Sequence, residues 1–439
     1  MRRVIALSAL CLTMSLAAGA LVLEPPAAAR GAPLEASEEK RWYRGNLHTH
    51  SHWSDGDDYL EMIALWYRDR GYHFLSFTDH NVLADTERWV DVDETKGGRR
   101  AYDKLKARLP DWVDERDTDG RLQVRLRQFH EVAGRFSVPG EFLLLQGEEI
   151  SDRFERYPIH LNAGNVHELI PPRGGTSVRE TIQNNVDAVL AQRERTGRPI
   201  LIHLNHPNFG YAITAEDLMP IIGERFFEVY NGHPGVHNSG DDQHVSTERL
   251  WDIVLAFRLG VLGLPVMYGL AVDDGHNYHN IPSRASEPGR GWVMVLAPEL
   301  TAEALIEALE AGAFYASSGV TLARVDASPR GLTVEVDPVA GETYTISFLG
   351  TRRDFSRTHE PVLGDSGEAV HATHRYSDDI GTVLATATGT RAGYRFQGDE
   401  LYVRARVTSS AAHPNPSEEG ETQQAWTQPV LGPGVPRQP

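Results

Sequence analysis

The chain has 439 residues, 41% of them hydrophobic, enough for one large domain and a smaller one with separate cores, and this excludes a fibrous or disordered protein. Its 61 acidic and 43 basic residues give a formal charge of −18. That balance argues against a surface that wraps nucleic acid, whose affinity would rest on neutralised phosphates, so a nucleic-acid polymer is not an expected partner.

At the start, Met1-Arg2-Arg3 precedes an apolar stretch from Val4 to Ala18, with small-residue sites at Ala18-Gly19-Ala20 and Ala27-Ala28-Ala29. Residues 1–29 therefore read as a secretory signal peptide and leader, and the product is expected in the periplasm or outside the cell. The apolar run is too short to favour a membrane span, and no later stretch approaches about 20 apolar residues. No span is expected once the signal is removed. Cys11, the sole cysteine, lies within that signal, so the mature chain is expected to have neither disulfides nor thiolate metal sites.

Residues 40–319 alternate short apolar runs with amphipathic or polar stretches, in the manner of a parallel α/β fold. Strands are predicted at 45–49, 74–78, 142–148, 158–164, 199–204, 226–230, 264–272 and 291–296. Between the first two, Tyr59, Met62, Ile63, Leu65, Trp66 and Tyr67 recur at helical spacing over 58–70, ended by Gly71. A polar insertion at about 82–140, containing Lys96-Gly97-Gly98-Arg99-Arg100, is expected to form irregular or helical cover near the site, where long loops often carry specificity. Thr301 caps a predicted closing helix with Leu305, Ile306 and Leu309 on one face and Gly312 past its end. From 320 to 410 the alternating runs 332–336, 344–348 and 401–407 predict a small all-β sandwich. Residues 411–439 read as a Pro-rich tail over the surface, with Trp426 available to pin its middle.

Nine residues with metal-binding side chains fall into short motifs at predicted strand ends: His48, His50, Asp55, His80, Glu149, His160, His206, Asp274 and His276. His48-Thr49-His50 puts two imidazoles on one face of an emerging strand, because side chains alternate with period two. Asp274-Gly275-His276 repeats that spacing after the apolar run ending at Val272, at a strand's carboxyl end where barrel active sites lie. Mixed imidazole and carboxylate ligands without sulfur suit Zn, Mn or Fe. Asp79 beside His80 could orient a ligand or serve as a structural hydrogen-bond acceptor, and Glu228, Asn231 and His233 sit where they could contact substrate. No Gly-x-Ser-x-Gly elbow and no Gly-rich phosphate loop is seen, so metals must supply the nucleophile.

The wording of Gly45-Asn46-Leu47-His48-Thr49-His50, Gln146-Gly147-Glu148-Glu149-Ile150-Ser151, His160-Leu161-Asn162, Asn205-His206-Pro207-Asn208, Glu228-Val229-Tyr230-Asn231-Gly232-His233-Pro234 and Asp273-Asp274-Gly275-His276-Asn277-Tyr278 resembles the PHP (polymerase and histidinol phosphatase) metallohydrolases. Within them it is similar to the secreted carbaryl-hydrolase-type (CehA/McbA-type) branch, over roughly residues 43–320. The resemblance implies a distorted (β/α)7 barrel at 40–319 with two to three divalent ions in a trinuclear site. It implies a first ion held by His48, His50, Glu149 and Asp274, a second held by Glu149, His160 and His206, and a third held by Asp55, His80 and His276. Glu148 competes with Glu149 as the bridging carboxylate and His203 with His206 as a ligand; the second of each pair is preferred, and His203 is expected to be a buried, hydrogen-bonded strand histidine.

The expected reaction is attack by a hydroxide bridging two ions on a small-molecule ester. A phosphodiester or phosphomonoester is favoured, and a carboxylic or carbamic ester is the alternative. A phosphoesterase should place a cation near the metals, with Arg68, Arg99, Arg100, Arg153 and Arg284 as candidates, whereas an aryl-ester enzyme should place Trp53, Phe154, Phe209 or Tyr278 there. A remote third reading, an inactive envelope-binding protein, would have lost ligands, and all nine positions are filled. Nothing in the sequence specifies an oligomeric state.

Overall fold

The computed structural model describes residues 40–436, and the expected signal and leader at 1–29 lies outside them. β1 (Arg41–Asn46), α1 (Leu60–Arg68) and β2 (Phe74–Phe77) come first. The insertion holds β3 (Arg88–Asp91), α2 (Gly98–Arg108), β4 (Glu115–Thr118), β5 (Arg121–Leu126) and α3 (Phe129–Phe136). Next come β6 (Leu143–Phe154), β7 (Tyr157–Gly164), α4 (Val178–Thr196), β8 (Leu201–Leu204), α5 (Ala215–Leu218), β9 (Phe226–Asn231), α6 (Thr247–Phe257) and β10 (Tyr268–Val272). β11 (Trp292–Ala297), α7 (Ala302–Glu310) and β12 (Phe314–Ser317) follow. The remainder is β13 (Leu322–Ser328), β14 (Gly331–Val336), β15 (Tyr344–Arg352), β16 (His359–Glu360), β17 (Arg375–Tyr376), β18 (Thr382–Thr388), β19 (Arg391–Arg395), β20 (Glu400–Ala412), β21 (Thr422–Thr427) and β22 (Val430–Leu431).

The architecture is mixed α/β and rich in sheet, with one hydrogen-bonded path in the order β10-β9-β8-β7-β6-β2-β1-β11-β12-β21-β20-β15-β18. The parallel alternation read from the sequence holds only for β1 with β2, β2 with β6, β8 with β9 and β9 with β10. β6 and β7 instead pair antiparallel, because only Glu155 and Arg156 separate them, too few residues for a crossover. Glu155 adopts a φ of 52°, the left-handed backbone that so short a turn needs. β8 against β7 and β11 against β1 are antiparallel as well. The strand predicted from 264 starts at Tyr268, since Gly263 closes the preceding helical turn in the left-handed region and Pro265 cannot donate to a ladder.

Two further expectations are corrected. The insertion holds the expected helical cover, α2 and α3, but is ordered by a sheet that was not expected: β3-β5-β4 pair antiparallel, and Val124 and Leu126 bury the alternate positions of β5 in a cluster with Tyr59, Ile63 and Tyr67 around α1. The supposed tail contributes β21 between β12 and β20, burying Ala425 and Trp426. Backbone pairing thus runs on past residue 320 without a break. The separate sheet β13-β14-β19 packs Leu332, Val334 and Val336 into one apolar cluster with Ile346, Phe348, Val403 and Val407.

Helix ends follow the sequence signals. The Thr301 side chain accepts from the Ala304 amide at 3.2 Å to start α7, and Gly312, at φ 71°, lies just beyond its end. α6 and β20 are joined by an ion pair in which Arg404 Nε and Nη2 donate to the two Asp252 oxygens at 2.9 and 2.6 Å. Both groups are buried, so Asp252→Ala leaves a guanidinium short of its bidentate partner. The expected cost is about 3–5 kcal/mol, read as a lower urea midpoint.

Glu61 on α1 is buried, and its Oε2 has no hydrogen-bond partner among the described residues. Burial pushes this carboxyl up from 4.5 to about 7. A raised folded pKa contributes stability that is whole below the unfolded value and is lost as pH rises through the folded one. Across that window the wild type should lose up to about 3 kcal/mol relative to Glu61→Gln. Thermal melts of both chelator-stripped proteins at pH 5 and pH 8 check this, and parallel curves would refute it.

Candidate metal centre

The strands deliver their carboxyl ends to one place, where the chain goes on pairing beyond the regular ladders. Thr49 bridges Gly275 and His80 bridges Glu149, both in parallel sense, and the His50 amide donates to the Gly275 carbonyl at 2.9 Å. The loops after β1, β2 and β10 are thereby fixed against each other and against β6. His48 and His50 follow β1, His80 follows β2, Glu149 lies on β6, His206 follows β8, and Asp274 and His276 follow β10. His160 lies near the start of β7, yet it joins them because that strand runs antiparallel and sets it opposite Ser151. Two of these residues hold strained backbone, His206 at φ 21° and Asp274 at φ 50°, which costs on the order of 1–3 kcal/mol each and is typical of functional sites.

All nine ligand candidates converge. His48 Nε2 lies 3.4 Å from Glu149 Oε2 and 3.3 Å from Asp274 Oδ1, and His50 Nε2 lies 3.3 and 3.2 Å from the same two oxygens. On its other side Glu149 Oε1 lies 3.0 Å from His160 Nδ1 and 3.3 Å from His206 Nε2. Asp55 Oδ1 lies 3.2 Å from His276 Nε2 and 3.6 Å from His80 Nε2. The His50 ring also stacks on His276 and His80, with centroids 4.0 and 4.4 Å away, which places it between two ligand groups.

These residues pass a direct test of fit for divalent ions. His48 Nε2, His50 Nε2 and Glu149 Oε2 are buried without a hydrogen-bond partner among the described residues, a costly state unless something else engages them. Bonds of about 2.0–2.1 Å set ligand atoms about 3.0–3.4 Å apart around a tetrahedral or octahedral ion, the spacing found here. Glu228 Oε1 pairs with His48 Nδ1 at 2.7 Å and so orients the ring with Nε2 directed at the centre, the arrangement that leaves Nε2 to a metal once its proton is displaced. The donor set is nitrogen and oxygen only.

Electrostatics prepare the same state. Burial alone would raise the Glu149 and Asp274 carboxyls, but the surrounding imidazoles outweigh it and hold both well below the usual carboxylate range. Burial, with His276 and His80 beside it, pushes the His50 imidazole down to about 3, so it is neutral with a lone pair to give. His80 goes the other way: burial would lower it, but Glu149, Asp55 and Asp274 carry it up to about 9. In the metal-free centre that imidazole holds a proton, which binding must displace.

The structure separates the alternatives left open by the sequence. Glu148 faces away and accepts from the Ile170 amide at 2.6 Å, and burial lifts it to about 8, whereas Glu149 occupies the middle of the cluster. His203 is buried and bonds Glu228 Oε1 at 3.2 Å, while His206 enters the cluster. Glu228 and Asp79, each offered by the sequence in more than one role, take the supporting one. Glu228 does not face substrate: it is fully buried behind His48, with His203, the His206 amide and Asn231 as its other partners. Asp79 does not touch the ligand atoms, because the Ser51 and Ser54 amides and hydroxyls saturate it at 2.6–3.0 Å and thereby shape the loop between His50 and Asp55.

His233 lies at the rim, 5.7 Å from the His276 ring, with its Nδ1 accepting from the Gly235 amide at 2.9 Å. Phe209 packs beside it against His206. Trp53 and Tyr278 are buried and bonded to backbone carbonyls, so they hold loops rather than line a pocket. Arg99 and Arg100 are engaged with Asp93 and Asn280, whereas Lys96 of the same motif reaches Asp55 Oδ2 at 3.4 Å. Sequence reasoning passed over Lys96, Ser151 and Asn205 as site residues. Ser151 Oγ meets His80 Nδ1 at 2.5 Å, and its place two residues after Glu149 on one strand was the available signal. Asn205 donates to Glu149 Oε1 at 2.7 Å and directly precedes His206.

No family model and no curated protein matches the chain. Among solved structures it is similar to a two-domain protein from Bacteroides vulgatus ATCC 8482 containing a predicted PHP-like metal-dependent phosphoesterase, with 13% identity, 89% of this chain and 96% of that chain covered, and a TM-score of 0.39. A proposed metal-dependent phosphoesterase from Bifidobacterium adolescentis ATCC 15703 matches at 15% identity over 54% of this chain and 89% of that chain, with a TM-score of 0.27. At this level of similarity the functional reading rests on the geometry of the centre.

Glu228→Gln should keep the fold but loosen His48. Metal affinity is expected to fall about 10–100-fold, measured by titrating the chelator-stripped protein calorimetrically, and unchanged affinity would remove the orienting role.

Proposed function

We propose that this protein is a secreted, metal-dependent phosphoesterase with a PHP-type distorted barrel and a trinuclear site. One observation carries the reading: three buried ligand atoms, His48 Nε2, His50 Nε2 and Glu149 Oε2, converge at ligand-to-ligand spacing without a hydrogen-bond partner among the described residues. On this reading His48, His50, Glu149 and Asp274 hold a first ion, Glu149, His160 and His206 a second, and Asp55, His80 and His276 a third. Zn, Mn or Fe suits that donor set. Bound divalent ions supply Lewis acidity, bringing the pKa of water toward neutral and stabilising charge that develops on oxygen.

The chain's own residues do the rest. Glu228 and Ser151 aim His48 and His80, and Asn205 and Asn231 donate to Glu149 and Asp274 and set the direction of their carboxylates. His233 keeps its proton on Nε2, since Nδ1 accepts from Gly235, and can offer a hydrogen bond to a leaving oxygen at the rim. Lys96 supports a phosphoester, as it adds positive charge beside Asp55. A carboxylic or carbamic ester hydrolase using the same ions is the second reading, favoured by the Phe209 ring against His206 and His233, which offers an apolar surface to an aryl group.

The test is turnover of a chromogenic phosphodiester, phosphomonoester and aryl carbamate in parallel, after chelation and after reconstitution with Mn or Zn. Phosphoester turnover should return with metal and fall at least about 100-fold in Asp274→Ala. Carbamate turnover alone would move the enzyme to the second reading, and an Asp274→Ala variant as active as wild type would end both.

A further inference from the structure

Asp55 has two faces. Its Oδ1 turns to His276 and His80, while Oδ2 turns outward to Lys96. Beyond it lies a cavity of about 450 Å³ whose far wall is the inserted sheet, with Arg88, Trp89, Asp91 and Gln123 among its lining residues. That volume suits a small molecule and leaves no room for a polymer.

The charge in this cavity is arranged unevenly. Its acidic residues Asp91 and Glu94 are both occupied by Arg121 Nη1, at 2.9 and 3.0 Å, and Asp91 also accepts from Gln123. Its cations are less committed. Arg88 donates to the Trp53 carbonyl at 2.6 Å, and among the described residues no carboxylate lies within 4.0 Å of its guanidinium. Among the described residues Lys96 pairs only with Asp55, a carboxylate whose other oxygen is already turned to the cluster.

The position of Lys96 is built in by packing. At Gly97 a Cβ would stand 2.1 Å from the Asp57 carbonyl oxygen, so a residue without a side chain is what lets this loop close on the loop that carries Asp55. An exposed pair of this kind contributes little to stability, which leaves recognition as the better account of so close an approach.

The geometry points to a leaving-group subsite: the cavity between Asp55 and the inserted sheet receives the alcohol part of the substrate, and Lys96 with Arg88 selects one bearing a second anionic group, a carboxylate or a phosphate. This rests on the phosphoesterase reading of the same centre. Lys96 acts by binding the leaving group, so its effect falls on KM more than on kcat.

The experiment compares para-nitrophenyl phosphate with its analogue carrying a ring carboxylate meta to the ester, using the metal-reconstituted full chain as wild type, Lys96→Met and Lys96→Arg. Wild type should favour the carboxylated ester about tenfold in kcat/KM, chiefly through KM, with the preference lost in Lys96→Met and kept in Lys96→Arg. Binding of the free carboxylated nitrophenol is measured calorimetrically alongside and should weaken about tenfold in Lys96→Met. Turnover of both esters with the same preference in all three proteins overturns the subsite and leaves the phosphoesterase standing. Absence of turnover in wild type, with the binding contrast intact, overturns a phosphomonoesterase and leaves the anion subsite; absence of both overturns both.

Discussion

The organisation of this protein turns on one buried carboxylate. Glu149 is withdrawn from water on β6, and a lone charge in that position would be prohibitively costly. Its two oxygens divide the surroundings: His48 and His50 approach one, His160 and His206 the other. Those imidazoles come from the end of β1, the first half of β7 and the end of β8, so satisfying Glu149 obliges these three places to meet in register. The bridges Thr49 to Gly275 and His80 to Glu149 are the backbone expression of the same demand.

Behind the ligands stands a second layer that spends its hydrogen bonds on aim. Glu228 addresses two separate elements, β1 through His48 and β8 through His203 and the His206 amide, and so ties β9 to the ends of both. Asp79 does the same for the loop that swings Asp55 into place. Neither residue has an atom to spare for substrate, and their burial explains why: a carboxylate that accepts four hydrogen bonds has its acceptor capacity filled.

Much of the centre was legible in the sequence because its signals are local. Period-two spacing put His48 and His50 on one face, and the preference for Glu149 and His206 over Glu148 and His203 agrees with where these side chains point. What failed was everything set by partners distant in sequence. Glu228 ends an apolar strand just as a substrate-contacting residue would, and only the approach of His48 from 180 residues away fixes its task. The sense of β7 depends on a two-residue turn that the predicted strands 142–148 and 158–164 did not show, because β6 continues through polar residues as far as Phe154. The insertion was misread because its charged residues dominate the composition, while the alternation of Val124 and Leu126 that makes a strand of β5 covers very few positions. β21 was hidden in a stretch whose Pro and Glu content resembles a tail, although Trp426 marked the point at which it enters the sheet.

The ligands span the chain from His48 to His276, with the hairpin of β6 and β7 between them, so no partly folded intermediate that lacks the loop after β10 can hold the complete cage. On the proposed assignment, the positions that use Asp274 and His276 are therefore completed late in folding, while Glu149, His160 and His206 can meet earlier. Selectivity at the late positions would then depend on the metal pool present where folding finishes as well as on coordination chemistry.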